Sequence, residues 1–182
     1  MFHNRGMSET NRNEQDRRVK RTKALIFEAF FEMVQSSRYD ELKTIHIIEK
    51  SGVGKSTFYE HFNGKDDVLS QSLEHPMSVL AMALVGDGDE ENIKWVLNHF
   101  WERRLFARLI LQHPTLTVVD NCLRDIIISN SAGRASSNQI YAQACFLSSG
   151  FLSLLAEWLT GKIKFSVDDM LEMINMLSSN KD

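Results

Sequence analysis

The chain is poor in the residues that interrupt or cross-link a backbone. Its 182 residues include two prolines, nine glycines and two cysteines. Cys122 and Cys145 are too few to frame a disulfide-stapled fold and lack CxxC spacing, so a reducing, cytoplasmic compartment is the default expectation. No run approaches the roughly 18–20 apolar residues a membrane span needs, and no membrane partner is expected. The first twenty residues hold no apolar stretch and do not read as a secretory signal; Met7-Ser8-Glu9 is as good a start as Met1. No segment of any length alternates with period two, which argues against half-buried strands. The six histidines fall at no metal-ligand spacing, and no Ser/His/Asp or Cys/His set can be assembled from local signatures. Neither a metal, a cofactor nor an enzyme is expected.

What is present is enough for one compact unit or two small ones. Hydrophobic residues make up 43% and charged residues 25%, and eleven Phe, three Trp and three Tyr can fill a sizeable core. The net charge of -3 conceals an asymmetry. Residues 1–65 carry 12 Lys and Arg against 9 Asp and Glu, whereas residues 66–182 carry 9 against 15. Five bases crowd into Arg17-Arg18-Val19-Lys20-Arg21-Thr22-Lys23. A basic head on an acidic body suits a head that meets a polyanion; a solvated helix face is the other reading.

Hydrophobic periodicity reads as helix throughout. Residues 1–15 are polar and are expected to form a mobile arm. From Asp16 to Ser36, Val19, Ile26, Ala29, Phe30, Met33 and Val34 recur at three- and four-residue steps. Two short segments, Thr44 to Lys50 and Lys55 to Phe62, flank Gly52. A longer helix is expected from Lys65 to about Leu84, kinked or shortened by Pro76. Others follow from Glu90 to Gln112, from Pro114 to Ser129, over 136–160 and from Ser166 onward. The expectation is an all-α protein of eight to nine helices: an N-terminal three-helix helix-turn-helix head over 16–65, joined to a helical regulatory and dimerisation bundle over 66–182.

Two strings mimic known ligand loops and fail on spacing. Gly54-Lys55-Ser56-Thr57 resembles the end of a phosphate-binding loop, but the position five residues before Gly54 is Glu49, where that loop needs glycine. Asp87-Gly88-Asp89-Glu90-Glu91 spaces its acids as a calcium loop does, but the sixth position is Asn92 and the twelfth Asn98. It reads as a loop that caps a helix.

The stretch from Lys43 to Lys65 carries more. Read as two short helices around a glycine turn, it lets Ile47, Val53 and Phe58 anchor inward, while Phe62 closes the second helix onto the first long one. Lys55, Ser56, Thr57, Tyr59, Glu60 and His61 are left along the outer side. These donors, one cation and an aromatic hydroxyl are the groups that hold phosphates and probe a major groove. A short polar surface helix is the plain alternative.

Val53 to Leu69, with Thr57-Phe58-Tyr59 followed by His61-Phe62 and Lys65, closely resembles the helix-turn-helix signature of the TetR family of bacterial transcriptional regulators. The resemblance covers roughly residues 18–70. Less sharply, Gly150 to Leu159 followed by Gly161 and Ser166 resembles the compact regulatory domain of its shorter members. The resemblance implies that Lys55 and Ser56 meet base edges, that Thr57, Tyr59 and His61 hold phosphates or bases, that Lys65 holds a backbone phosphate, and that Thr44 belongs to the same DNA-binding set. Glu60 falls at an outward position that can accept from cytosine or simply repel phosphates. The chain departs from the pattern at Lys43, where Thr44 is expected to take over capping, at Ile48, and at Gly54, which replaces a serine.

It further implies a cytoplasmic, sequence-specific transcriptional regulator, a repressor, that binds a palindromic operator on double-stranded DNA as a homodimer and responds to a small-molecule effector. A TetR-like co-regulator acting through protein contacts is the alternative. The effector site is expected among Trp95, His99, Phe100, Trp101, Phe106 and Cys122. The dimer interface is expected in two sets: the small residues Ala142, Ser149, Gly150, Ser153 and Ala156, and the apolar stripe Met170, Leu171, Ile174 and Leu177. Arg12, Arg17, Arg18, Lys20 and Arg21 could lie across phosphates or reach a minor groove. Deleting residues 1–15 is then expected to flatten the salt dependence of DNA binding, measured as the slope of log affinity against log salt. An unchanged slope contradicts a role for the arm.

Overall fold

The computed structural model describes residues 9–131, 133 and 135–179. Nine α-helices and no strand are present among them: α1 (Glu9–Ser36), α2 (Thr44–Ser51), α3 (Lys55–His61), α4 (Lys65–Leu84), α5 (Glu90–Glu102), α6 (Arg104–Ile110), α7 (Thr115–Asn130), α8 (Ser137–Leu159) and α9 (Val167–Ser179). The protein is all-α. The chain divides into two compact units, Met1–Val68 and Leu69–Asp182.

Several elements differ from what the periodicity suggests. Residues 1–8 lie outside the described residues, and the backbone is already helical from Glu9, within the stretch read as an arm. The basic side chains of Arg12, Arg17, Arg18, Lys20 and Arg21 all stand exposed on α1. Pro76 does not end α4, which continues to Leu84. The run from Glu90 to Gln112 is not one helix but two, separated at Arg103. The Arg103 N–H is shared between the carbonyls of His99 and Trp101. Neither Gly nor Pro marks this bend, so a periodicity argument passes over it. Its consequence is visible: α6 turns Ala107 and Ile110 inward and sends Arg108 to the Leu159 carbonyl at the end of α8, with Nε at 2.8 Å and Nη2 closer still. A cation there complements the negative helix C-terminus.

Polar punctuation sets the helix starts. Asp89 accepts the Asn92 N–H at 3.0 Å, so the acidic loop caps α5. Ser136 and Gln139 form a reciprocal capping box at α8. Ser166 and Asp169 bond each other's backbone N–H at the start of α9.

In the second unit α8 packs on α7 and α6, and α9 packs on α5. By length and apolar composition α8 could cross a bilayer, although its apolar residues form no unbroken run. Serines, Gln143 and Gly150 interrupt its apolar residues, and nine of its side chains are buried, among them Phe151, Leu155 and Trp158. The Trp158 indole N–H donates to the Phe165 carbonyl at 2.8 Å, and its ring meets Trp101 at 5.0 Å between centroids.

Gly88 is required by space. A Cβ built there would stand 2.6 Å from the Ala83 Cα, too close for any side chain. Gly88→Ala is expected to cost about 1–3 kcal/mol through overpacking and to lower Tm by several degrees in scanning calorimetry. An unchanged Tm contradicts the packing described.

Candidate nucleic-acid interface

The first unit is organised by aromatic side chains. Phe58 and Phe62 are 0% and 1% exposed and meet at 5.6 Å between ring centroids. Phe62 also meets Phe27 of α1 edge-on at 5.6 Å, and the Lys23 ammonium lies 5.7 Å from its centroid. Phe62 thus closes the short helix onto α1, as its spacing predicts. Burying each ring contributes about 1.5–3 kcal/mol, with up to about 1 kcal/mol more from ring geometry. Ile47 and Ile48 are the buried residues of α2. A strand over 44–48 is absent, which removes the phosphate-loop reading.

The turn between the short helices depends on Gly52. Its φ of 66 and ψ of 12 are left-handed, and its N–H donates to the Glu49 carbonyl at 3.3 Å. A side chain there carries a cost of about 1 kcal/mol or more. Ser51 Oγ donates to the Ile48 carbonyl and accepts from the Val53 N–H, steadying the same turn. Gly54 then caps α3 with backbone alone, at φ -60 and ψ 144.

The outer side of α3 carries the polar set. Lys55, Ser56, Tyr59 and Glu60 are exposed; Thr57 and His61 are half-buried. The Tyr59 ring leans edge-on against Phe58 at 5.4 Å, yet 51% of the residue remains accessible. Among the described residues, the side chains of Lys55, Ser56, Tyr59 and Glu60 make no hydrogen bond or ion pair. Thr44 is half-buried and its hydroxyl lies beside the Gly64 turn. It does not cap α2: the N-cap is Lys43, without a side-chain hydrogen bond.

Lys65 is differently placed from the rest. Its ammonium donates to the Tyr39 carbonyl at 2.6 Å and sits 4.5 Å from the Tyr39 ring centroid. The Tyr39 hydroxyl in turn donates to Asp66 at 2.6 Å. Burial, and then the bond to Asp66, push the Tyr39 hydroxyl well above the usual phenol range. This clamp fastens the start of α4 to the loop after α1. Sequence reasoning missed Tyr39 because its partners lie 26 and 27 residues away, a separation at which no periodicity operates.

In the second unit, the six residues expected around an effector differ in exposure. Phe100 and Cys122 are buried, and desolvation raises the Cys122 thiol above its ordinary range. Trp95 is 56% exposed and stacks on His99 at 5.4 Å. Trp101 lies on Trp158 and Phe106 is half-buried. A cavity of about 550 Å³ opens elsewhere, between α7 and α8, with Leu116, Asp120, Arg124, Ser149, Leu152 and Glu157 in its wall. There Asp120 accepts from Arg124 and from the Ser149 hydroxyl, the latter at 3.0 Å. The Arg124 Nε is buried without a hydrogen-bond partner. None of the six expected effector residues lines this cavity.

The expected dimer surface divides in the same way. Met170, Leu171 and Ile174 are 0%, 6% and 0% exposed within their own chain, so they are core there and not a free surface. Periodicity alone cannot separate a stripe facing its own chain from one facing a partner. Ala142, Ser149, Gly150 and Ser153 stand exposed on α8, Ala156 is half-buried, and Leu177 is 36% exposed.

A Cβ at Gly54 would meet nothing closer than the Thr57 hydroxyl at 3.8 Å. Gly54→Ser is therefore expected to add a side-chain cap to α3, worth a few tenths of a kcal/mol, or about 1 °C in Tm by calorimetry. A fall in Tm contradicts the backbone-only cap.

No family model matches the chain, and no curated protein matches its sequence. Solved structures do. A TetR transcriptional regulator from Streptococcus agalactiae is 24% identical, with 90% of this chain and 97% of that chain covered and a TM-score of 0.51. The dihydroxyacetone kinase operon activator DhaS is 18% identical over 86% of this chain and 93% of its own, with a TM-score of 0.48. The fatty acid degradation regulator FadR from Bacillus halodurans is 15% identical over 88% and 96%, with a TM-score of 0.43. The first likeness shows that the chain has the fold of a TetR transcriptional regulator.

Proposed function

We propose that the protein is a sequence-specific DNA-binding transcriptional regulator that acts as a homodimer on a palindromic operator and responds to a small molecule. The observation that carries the reading is the α3 surface: four exposed polar side chains without partners among the described residues, on a helix anchored by two buried rings. A helix held this way has the width to enter a major groove, and its side chains have the chemistry to meet phosphates and base edges. Lys55 and Ser56 open the contact, Tyr59 and Glu60 continue it, and Thr57, His61 and Thr44 flank it. The name of the similar Streptococcus agalactiae protein agrees with this role.

One such head reads few base pairs, so specificity calls for two heads related by symmetry. The exposed part of α8, with Ala142, Ser149, Gly150 and Ser153, supplies a surface of small side chains for close approach, and Phe146, 74% exposed, lies beside it. The cavity between α7 and α8 has a size suited to a small effector. Repression follows where the operator overlaps a promoter and the effector favours a dimer geometry whose heads no longer match the half-site spacing.

A gel-shift series against DNA upstream of the chain's own coding region tests the reading, with Tyr59→Ala as control. Retardation by the wild-type chain is expected, with a loss of roughly tenfold or more for the variant. No retardation, together with capture of a partner protein, supports the co-regulator and contradicts the proposal.

A further inference from the structure

We infer that Glu60 is a specificity-determining residue whose carboxylate accepts a hydrogen bond from the N4 amino group of a cytosine in the major groove. The inference rests on the proposed DNA-binding function and goes beyond it to a base identity.

Direction comes first. Successive helical residues are about 100° apart, so Glu60 lies about 200° around α3 from Phe58. Phe58 is fully buried, and Glu60 therefore projects almost straight away from the core. Ser56, one turn earlier, shares its stripe and is also exposed. Lys55 and Tyr59 form the adjacent stripe, likewise exposed. Glu60 is thus central around the circumference of the outward surface, at the next-to-last residue of α3.

Compensation comes second. Several acids of the first unit have partners close by, whereas Glu14, Asp16, Glu28 and Glu49, like Glu60, have none among the described residues. Glu32 pairs with Lys50 at 2.7 Å, Asp40 with Arg38 at 2.8 Å, Asp66 takes the Tyr39 hydroxyl, and Asp67 takes the Asn63 N–H. Glu60 has no hydrogen bond or ion pair among the described residues.

The chemistry then narrows the choice. An ionised carboxylate accepts hydrogen bonds and donates none. Brought against a duplex it is repelled by phosphates, and that cost is offset only where it meets a donor. In the major groove the donors are the amino groups of cytosine and adenine. Adenine sets its amino group beside the N7 acceptor, which faces a carboxylate unfavourably. Cytosine offers the amino group without that neighbour, so it is the base a carboxylate selects.

The test is selection of binding sites from a randomised duplex pool by the full-length wild-type chain, Glu60→Ala and Glu60→Gln. Position 60 is exposed and Ala is a strong helix former, so both variants are expected to keep the wild-type circular dichroism and Tm. The wild-type half-site is expected to contain one cytosine whose replacement costs roughly tenfold. Glu60→Ala loses preference at that position alone and binds unrelated duplex more tightly, because a repulsive charge is gone. Glu60→Gln moves the preference toward adenine, whose donor and acceptor an amide matches. Placing N4-methylcytosine at that position, which blocks the groove-facing hydrogen, weakens the wild type and leaves Glu60→Ala unaffected. A selected sequence unchanged by Glu60→Ala, or a uniform change across all positions, overturns this inference and leaves the DNA-binding reading standing. A wild-type chain that selects no sequence overturns both.

Discussion

The polar surface of α3 exists because two phenylalanines are held on its other side. Phe58 and Phe62 are nearly inaccessible, and Phe62 is pinned edge-on by Phe27 of α1. A seven-residue helix has no stability of its own in water. Its orientation is set by these rings, by the left-handed turn at Gly52, and by the clamp of Lys65 and Asp66 on Tyr39. Release of the rings would leave Lys55, Ser56, Tyr59 and Glu60 without a fixed direction. The chemistry proposed for the head is therefore borrowed from its packing.

The same coupling of packing to exposure separates the residues of the second unit. Arg108 reaching the Leu159 carbonyl and Trp158 reaching the Phe165 carbonyl fasten the end of α8 to α6 and to the loop before α9. With α8 held in this way, the small side chains of Ser149, Gly150 and Ser153 stay accessible. Met170, Leu171 and Ile174 go inward instead. In the proposed function the exposed residues serve association and the buried ones serve the fold.

Much of this was legible in the sequence, for identifiable reasons. Helix order followed from three- and four-residue spacing of large apolar side chains, and the short pair around Gly52 followed from its turn chemistry. The outer side of α3 could be read because a seven-residue element with two aromatic anchors leaves few alternatives. What could not be read depended on long separations or on which neighbour a stripe faces. The Tyr39 clamp spans 26 and 27 residues. The bend at Arg103 carries no breaking residue. The apolar stripe of α9 has the same spacing whether it meets its own chain or another, and the large aromatic residues of α5 read as pocket lining although Trp95 faces solvent and Phe100 faces the core.

The central claim is that the outer side of α3 is the surface that meets duplex DNA. Titrating the isotope-labelled chain with a selected duplex and following backbone amide signals by NMR tests it most directly. The account predicts the largest shifts at Lys55, Ser56, Tyr59 and Glu60, with the signals of α7 and α9 little changed. Shifts confined to residues 69–182, or none at any ratio of duplex to protein, would contradict it.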